Sequence, residues 1–416
     1  MSTTAERPVA STSALLPAAP AHGVRARIAR LVVKRILNGV PVTAHLPTGE
    51  TWGAPLDDGR PVLRIDEPVA FFARLAHSPA IGLGEAYMAR EWSAEEGTDL
   101  ADALAPFAEK LTDLIKPVFY RMRHAVLPRG LNPANTKAGA RKNIETHYDL
   151  SNEMFQQFLD PSLSYSSALF ESLETPPVAA DLEEAQLRKV DAILDSAGVV
   201  AGSRVLEIGT GWGTLAIRAA ERGATVTTVT LSVEQASLAQ QRVDEAGVRE
   251  RVEVAVRDYR DQDGSFDAIV SVEMIEAVGE EFWPEYFAKI DSLLAPGGKA
   301  AIQAILIADD RMVATRNTYT WIHKYIFPGG MLPSSDAIRR VLRDHTSLQV
   351  TNIRPMGPHY AHTLRLWRER FVANWRHVRD LGFDDRFFRM WEYYLAYSEA
   401  GFRTGYLDVG QIRMER

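Results

Sequence analysis

The chain has 416 residues, of which 46% are hydrophobic and 24% are charged, enough for a large buried core and two domains. A formal net charge of −7 argues against general nucleic-acid binding, and the lack of cysteine excludes disulfides, thiolate metal sites and a cysteine nucleophile. No signal-peptide pattern is present, and no apolar run approaches the ~18 residues of a membrane span. We therefore expect a cytoplasmic protein that contacts the inner face of the membrane only peripherally.

Three segments are predicted before residue 143. Residues 1–22 are rich in Ala, Ser, Thr and Pro without periodicity, which predicts a disordered leader. Residues 23–115 combine helical patterns with short strand-like runs and are predicted to form a small α+β domain. Residues 116–142 hold seven Lys or Arg, no acid, and several Pro and Gly, which indicates a basic linker.

Two basic stretches of this region have two interpretations each. Within residues 25–40 a helical pattern gathers apolar side chains on one broad face, namely Ile28, Leu31, Val32, Ile36, Leu37 and Val40. That face can pack on its own domain, which is the more common arrangement, or lie on a membrane surface. The linker can likewise be a solvated segment or be attracted to anionic lipid.

From residue 143 onward, strands and helices alternate. An apolar strand at 205–208 is followed by Gly209, Gly211 and Gly213, and then by a helix at 215–222. Further strands, each separated from the next by a connecting segment, are predicted at 225–230, 252–256, 266–272 and 299–307. This alternation predicts an α/β fold with a doubly wound, Rossmann-like parallel sheet, whose ligands bind at the carboxyl ends of the strands.

The glycine turn after the first strand favours S-adenosylmethionine over a dinucleotide. Glycine has no Cβ, so the backbone can turn tightly and approach a ligand closely. The spacing G-x-G-x-G lacks the third glycine position of the dinucleotide motif, and the carboxylate of Glu207 lies at the end of the strand. A carboxylate suits a ligand with hydroxyls and a cationic amino-acid end better than a pyrophosphate.

Several motifs taken together resemble the cyclopropane-fatty-acid synthase family. They are the segments 147–152, 165–166, 206–213, 230–235, 258–260, 275–279 and 324–330, with His359, Tyr360 and Trp367 farther on. The segments 301–305 and 398–408 look closest to the actinobacterial branch of the family, whose members are fatty-acid methyltransferases. Residues 81–92 resemble the N-terminal domain of the full-length bacterial enzymes. The resemblance implies a class I methyltransferase domain at 143–416 and a lipid-associated domain at 23–115.

The resemblance implies which residues hold S-adenosylmethionine. They are Tyr148, Tyr165, Ser166, Glu207, Gly209, Thr210, Gly211, Gly213, Thr230, Gln235, Asp258 and Tyr259. Many methyltransferases of this fold place an acid for the ribose where Thr230 stands here, and the family shares that role between Gln235 and neighbouring polar groups. Taken singly, such residues also have structural explanations: Asp258, for example, could cap a helix.

The resemblance also implies a bound bicarbonate that removes a proton from the substrate. Its implied ligands are Ser167, Glu276, Gln303, Ile305 and Tyr360. Ser167 and Gln303 replace a Cys and a His of the family, and Ser398 also stands where a Cys is usual. A hydroxyl and an amide can still bind an anion, but an imidazole that could relay a proton is lost. These two replacements argue against closure of a cyclopropane ring more than against methyl transfer.

By the same resemblance, the enzyme methylates the cis double bond of an oleoyl phospholipid chain through a carbocation. The implied product is a 10-methylene chain, which a flavin- or NADPH-dependent reductase saturates to the tuberculostearic (10-methyl) chain. Closure of a cyclopropane ring from the same cation is the alternative. The aromatic residues Tyr319, Trp321, Tyr325 and Phe327 could stabilise such a cation, or most of them could be core residues.

Two further classes remain open from the sequence. One is a non-catalytic lipid-binding protein that keeps a methyltransferase shell, and the other is a small-molecule O- or N-methyltransferase. The first would need a broken cofactor pocket, and the second does not explain the lipid-type N-terminal segment. We expect no metal site and no nucleic-acid partner, and the family suggests a homodimer.

Overall fold

The computed structural model describes residues 16–18, 23–55, 59–114 and 151–416, with the side chains of 111–114 left out. The predicted basic linker, Tyr148 and most of the predicted leader therefore lie outside the described residues. Residues 16–18 of that leader are held against the protein, because Arg74 donates a hydrogen bond to the Pro17 carbonyl at 2.8 Å.

The described residues up to 114 form four helices around a small sheet. The sheet order is β2-β1-β3-β4, with β1 antiparallel to β2 and parallel to β3. A proline in the first turn of α2 and of α3 fits the helix start, where an N–H would have no partner. The elements are α1 (Val24–Leu37), β1 (Thr43–His45), β2 (Thr51–Gly53), β3 (Val62–Arg64), α2 (Pro68–His77), α3 (Pro79–Met88), β4 (Ser93–Ala94) and α4 (Leu100–Leu114).

The apolar face predicted for the first helix is divided in the structure. Leu37 at the end of α1 and Val40 beyond it are buried. Ile28, Leu31 and Val32 are instead 55%, 69% and 50% exposed. The helix thus packs on its own domain through one edge, and a second apolar stripe faces outward among arginines and a lysine.

The second part forms the predicted doubly wound sheet, in the order β10-β11-β9-β8-β5-β6-β7, with β11 antiparallel to both neighbours. Helices cover both faces. The first elements are α5 (Asn152–Phe158), α6 (Leu182–Ser196), β5 (Arg204–Ile208), α7 (Thr214–Glu221), β6 (Thr225–Thr230), α8 (Val233–Glu245), β7 (Val252–Val256) and β8 (Phe266–Val272). They are followed by α9 (Trp283–Leu293), β9 (Leu294–Ile307), α10 (Asp309–Thr315), α11 (Trp321–Tyr325), α12 (Ser335–His345), β10 (Gln349–Pro355), α13 (Gly357–Ala373), α14 (Trp375–Asp380), α15 (Asp385–Arg403) and β11 (Leu407–Glu415).

Two predicted strand starts differ from the structure, because β5 begins at Arg204 rather than at residue 205, and β9 also begins earlier than predicted. The ninth strand begins at Leu294 rather than at residue 299, because Leu294 still pairs with Phe266 of β8. Lys299 is the next partner across, opposite Ala268, so the intervening residues form a bulge instead of a turn outside the sheet.

The small sheet domain and the large one share a hydrophobic core. Gly84 of α3 lies so close to Trp321 of α11 that a Cβ on Gly84 would come within 2.5 Å of the indole ring. Beside this contact, Lys324 and Tyr325 donate hydrogen bonds to the buried Glu85 carboxylate, at 2.5 and 2.8 Å. The two parts are therefore joined by both packing and charge.

Replacing Gly84 by alanine should lower the free energy of unfolding by about 1–3 kcal/mol, because the new methyl group must displace the buried Trp321 ring. Denaturant unfolding followed by tryptophan fluorescence measures the change. The matched control is Gly39→Ala, since a Cβ there meets only ordinary contacts and should change stability by less than about 0.5 kcal/mol. Equal effects of the two substitutions would contradict the prediction.

Candidate cofactor and catalytic site

A cavity lies at the carboxyl ends of β5, β6 and β8, as the sheet topology requires. It is lined by ten of the twelve residues predicted to hold S-adenosylmethionine: Tyr165, Ser166, Glu207, Gly209, Thr210, Gly211, Thr230, Gln235, Asp258 and Tyr259. Gly213 stands just behind them, where a Cβ would come within 3.2 Å of Ala239 on α8. Tyr148 is the one outside the described residues.

The glycine turn and the carboxylate beside it form the floor of the cavity. Gly209, Gly211 and Gly213 have φ values of +99°, +51° and +88°, a region in which a side chain is strained. Glu207 is 4% exposed, and burial raises the pKa of its carboxyl to about 8. Within the described part of the chain, its Oε2 atom has no hydrogen-bond partner. A buried oxygen of this kind is costly unless a ligand hydroxyl or ammonium group satisfies it.

The opposite wall of the cavity is held by short polar contacts. The Thr230 hydroxyl donates a hydrogen bond to the side-chain oxygen of Gln235 at 3.1 Å. Asp258 makes two bonds with the guanidinium of Arg260, at 2.9 and 2.7 Å, and also caps the turn that carries Tyr259. These contacts fix the side chains that face the cavity before any ligand arrives.

The residues predicted as bicarbonate ligands also lie together, and a residue missed by sequence reasoning stands among them. The Glu273 carboxylate accepts hydrogen bonds from the Ser167 backbone N–H at 2.9 Å, the Gln303 side-chain amide at 2.8 Å and the Tyr360 hydroxyl at 2.8 Å. Glu273 also lines the cofactor cavity. Glu276 accepts a bond from the Ile305 N–H at 2.5 Å.

Ser398 is set apart from this cluster. It lies on α15, one helical turn after Tyr394, and is half-buried. No hydrogen bond among the described residues connects it to Glu273, to Glu276 or to their partners.

Comparison with known proteins identifies the family. The sequence profile described as mycolic acid cyclopropane synthetase matches residues 135–412. Tuberculostearic acid methyltransferase UfaA1 of Mycobacterium tuberculosis is 49% identical over 97% of this chain and 94% of that protein. Cyclopropane-fatty-acyl-phospholipid synthase of Escherichia coli K12 is 33% identical over 85% of this chain and 87% of that protein. The chain belongs to the mycolic acid cyclopropane synthetase family.

A solved structure agrees with this assignment. Mycolic acid cyclopropane synthase CmaA1, complexed with SAH and CTAB, superposes with a TM-score of 0.61 and 30% identity, covering 66% of this chain and 98% of that one. The predicted class I methyltransferase fold is confirmed, and the chain is an S-adenosylmethionine-dependent methyltransferase. The unpaired Glu207 oxygen and the glycine turn fit that cofactor. Among the residues that the structure describes, no helix is long and apolar enough to cross a membrane.

Sequence reasoning missed Lys189 of this methyltransferase. Its ammonium group is fully buried in α6, lines the cofactor cavity and donates a hydrogen bond to the Ser166 hydroxyl at 2.6 Å. Burial lowers the pKa of Lys189 to about 8. Its position in the sequence could have revealed it, because Lys189 lies on the apolar face of α6 with Ala185 and Ile193, where a lysine is unusual.

Aromatic rings surround the carboxylate cluster. Tyr360 packs on Phe402 with ring centroids 4.5 Å apart. The hydroxyl oxygens of Tyr165 and Tyr394 lie 2.8 Å from each other. Of the ring-rich stretch singled out in the sequence, Phe327 packs against Tyr394 at 5.8 Å. The other members are engaged elsewhere: Trp321 and Tyr325 contact α3, and Tyr319 stacks on His323.

An arginine on α8 connects two loops of the cofactor cavity. Arg242 donates hydrogen bonds to the carbonyls of Pro161 and Ser162, in the loop that carries Tyr165, at 3.3 and 3.1 Å. It also donates to the Trp212 carbonyl at 2.7 Å and to the Thr214 hydroxyl at 3.1 Å, in the glycine turn. Arg242 therefore fixes the distance between the loop that carries Tyr165 and the glycine turn.

Substituting Arg242 by methionine should raise the Kd for S-adenosylmethionine by about tenfold or more, since charged hydrogen bonds contribute about 1.5–3 kcal/mol each. Isothermal titration calorimetry measures the affinity. Arg249→Met is the matched control, because the one side-chain contact of Arg249 within the described ranges is an exposed ion pair with Asp244. An unchanged Kd in the Arg242 variant would show that the loops hold their spacing without it.

Proposed function

We propose that this enzyme transfers a methyl group from S-adenosylmethionine to the cis double bond of an oleoyl chain in a membrane phospholipid, and releases a 10-methylene chain. The proposal rests on the position of Glu273. Its carboxylate lines the cofactor cavity and also belongs to a buried, aromatic-lined cluster of proton-accepting groups. The 49% identity to tuberculostearic acid methyltransferase UfaA1 over nearly the whole chain supports the same product class.

The chemistry explains why such a cluster is needed. Bound S-adenosylmethionine supplies an electrophilic methyl group. The electron pair of the alkene forms the new bond from carbon 10 to this methyl group, while the bond from the methyl group to sulfur breaks with its electron pair kept by sulfur, and a cation is left at carbon 9. A hydride then moves from carbon 10 to carbon 9, and a proton leaves the new methyl group to give the exocyclic double bond. An alkene is a weak nucleophile, so alignment of the reacting atoms provides much of the acceleration.

In this proposal the chain's own side chains stabilise the cation and exclude water from it. The faces of Tyr360, Tyr394 and Phe327 offer negative electrostatic potential without a nucleophilic atom. Water would capture the cation as an alcohol, and the close-packed rings leave it little room. The carboxylates of the cluster then serve the final proton transfer.

Cyclopropane formation is the second candidate, since the same cation closes a ring if the methyl group loses its proton before the hydride shift. The family profile and the E. coli relative favour it. Gln303 and Ser167 stand where the resemblance implies a His and a Cys, and this difference in the cluster leads us to favour the methylene product.

Expression in a host that makes oleoyl phospholipids but no branched chains tests the product. Fatty-acid esters are analysed by gas chromatography and mass spectrometry before and after ozone treatment, because the two products have equal masses. We expect a new ester that ozone cleaves to a 10-keto chain. An ozone-resistant ester would establish the cyclopropane product, and no added carbon would favour a non-catalytic lipid-binding protein.

Three features of the cellular setting are part of the same proposal. The exposed apolar stripe of α1 lies among basic residues, which supports peripheral attachment to an anionic membrane. A methylene product requires a hydride donor for saturation, which a flavin- or NADPH-dependent reductase would supply. A homodimer is carried forward from the family resemblance and is tested by light scattering.

A further inference from the structure

We infer that the Glu273 carboxylate is the proton acceptor of the reaction, and that it takes the place of the bicarbonate that the family resemblance implies. The inference rests on the proposed function, in which a cation must lose a proton. It concerns a residue to which sequence reasoning assigned no role.

The hydrogen-bond donors of the predicted anion site already point at Glu273. The Ser167 N–H and the Gln303 amide both reach Oε1, and the Tyr360 hydroxyl reaches Oε2. Gln411 on the neighbouring strand donates to the side-chain oxygen Oε1 of Gln303 at 3.2 Å, which turns the Gln303 NH₂ group toward Glu273. A bicarbonate ion bound here would have to take these donors away from a buried carboxylate, so the residues present do not fit it.

The backbone holds Glu273 in an unusual conformation for this purpose. Its φ is +48°, in the left-handed region that costs a residue with a side chain about 1 kcal/mol or more. The Glu273 N–H donates to the Gln303 carbonyl at 2.7 Å, so Gln303 fixes both the main chain and the side chain of Glu273. The strain turns the carboxylate at the end of β8 inward, toward the cofactor cavity and away from solvent.

The surrounding charges place the negative charge on Glu273 rather than on Glu276. Burial raises the pKa of both carboxyls. For Glu273, three hydrogen-bond donors and the nearby ammonium of Lys189 oppose that rise. For Glu276, the Glu273 charge adds to the effect of burial and raises the pKa to about 8. These contacts favour the charged form on Glu273 over the charged form on Glu276.

The step balances within the site. The C–H bond of the transferred methyl group breaks, its electron pair forms the exocyclic double bond, and the proton moves to Glu273 Oε2. The hydrogen bond from Tyr360 to that oxygen shifts to its second lone pair. After the product leaves, the proton passes to solvent and the carboxylate is restored, with no other reactant consumed.

The first test replaces Glu273 by glutamine, which keeps the shape but cannot accept the proton. Product formation is measured with purified enzyme, S-adenosylmethionine and vesicles of dioleoyl phosphatidylglycerol. We expect kcat to fall by about 10²–10⁴-fold, the usual contribution of a general base. The Kd for the cofactor, measured by calorimetry, should stay within about threefold. Glu281→Gln, an exposed residue of the following loop, is the matched control and should keep full activity.

The second test replaces Glu273 by glycine, which suits a φ of +48° and leaves the three donors facing open space. Added bicarbonate should then restore activity by at least about tenfold in a saturable manner. The wild-type enzyme in buffer freed of carbon dioxide should keep its full rate, and the glutamine variant should gain nothing from bicarbonate because its side chain still fills the space.

Either of two results would overturn the inference: a glutamine variant within about threefold of wild-type kcat, or a wild-type rate that falls when bicarbonate is removed. The proposed function fails separately, because it predicts that wild-type enzyme forms a methylated product at all. A glycine variant that binds the cofactor but gains nothing from bicarbonate would also count against Glu273 as a replacement for that ion.

Discussion

Replacing Glu207 by alanine should raise the Kd for S-adenosylmethionine by about 10- to 100-fold. The carboxylate is buried at the end of β5 and lines the cavity, and its free Oε2 atom is available to a hydroxyl or an ammonium group of the ligand. The alanine variant leaves the ligand group without its partner, and an unsatisfied buried polar group costs about 1–3 kcal/mol, which corresponds to this loss of affinity.

Calorimetric titration measures this effect directly. The matched control is Glu253→Ala, which removes an exposed carboxylate from β7, two strands away in the same sheet, and should leave the Kd unchanged. The prediction is wrong if the Glu207 variant binds the cofactor as tightly as the wild type. In that case the carboxylate has only a structural role at the strand end.

The ligand-free protein should lose stability as the pH rises from about 5 to about 8. Burial raises the pKa of Glu207 to about 8, and burial with the Glu273 charge raises that of Glu276 to about 8, both from an ordinary value of 4.5. Between these limits the folded protein keeps a proton that the unfolded chain releases, so raising the pH favours unfolding. Each group contributes on the order of 3–5 kcal/mol across the full range.

Denaturant midpoints measured at intervals between pH 5 and pH 9 test this dependence. Glu276→Gln should flatten the curve, because its amide imitates the protonated acid and cannot ionise. Glu207→Gln should do the same independently, and the two together should remove most of the slope. A wild-type protein whose stability rises over this range would contradict the assignment of both groups as buried, neutral acids.

The predicted sheet was accurate where local sequence determines a strand. β6, β7 and β8 have the predicted bounds, because each is a short run rich in β-branched residues, with charged or turn-forming residues close to both ends. The start of β9 was not predictable, since the pairing of Leu294 with Phe266 depends on a bulge within β9 itself, between Leu294 and Lys299. The amphipathic pattern of α1 similarly predicted a helix, but not which edge of its apolar face would be covered.

The candidate site was also predictable only where local sequence determines it, and not where contacts between distant residues do. Most of the residues predicted for the cofactor do line one cavity, because they follow strands whose ends must meet at the same edge of the sheet. Their individual roles remain predictions. Glu273 was visible as a carboxylate at the end of β8, yet its position depends on a positive φ and on Ser167, Gln303 and Tyr360, which are 30 to 106 residues away in the chain.

Transfer of a labelled methyl group to lipid tests the central claim most directly. Purified enzyme is incubated with methyl-labelled S-adenosylmethionine and vesicles of either dioleoyl or fully saturated phosphatidylglycerol, and label is counted in the fatty acids after hydrolysis. We predict label in the fatty acids of the dioleoyl vesicles alone. Label in the head group, in both lipids, or in neither while the cofactor binds normally would contradict methylation of an acyl-chain double bond.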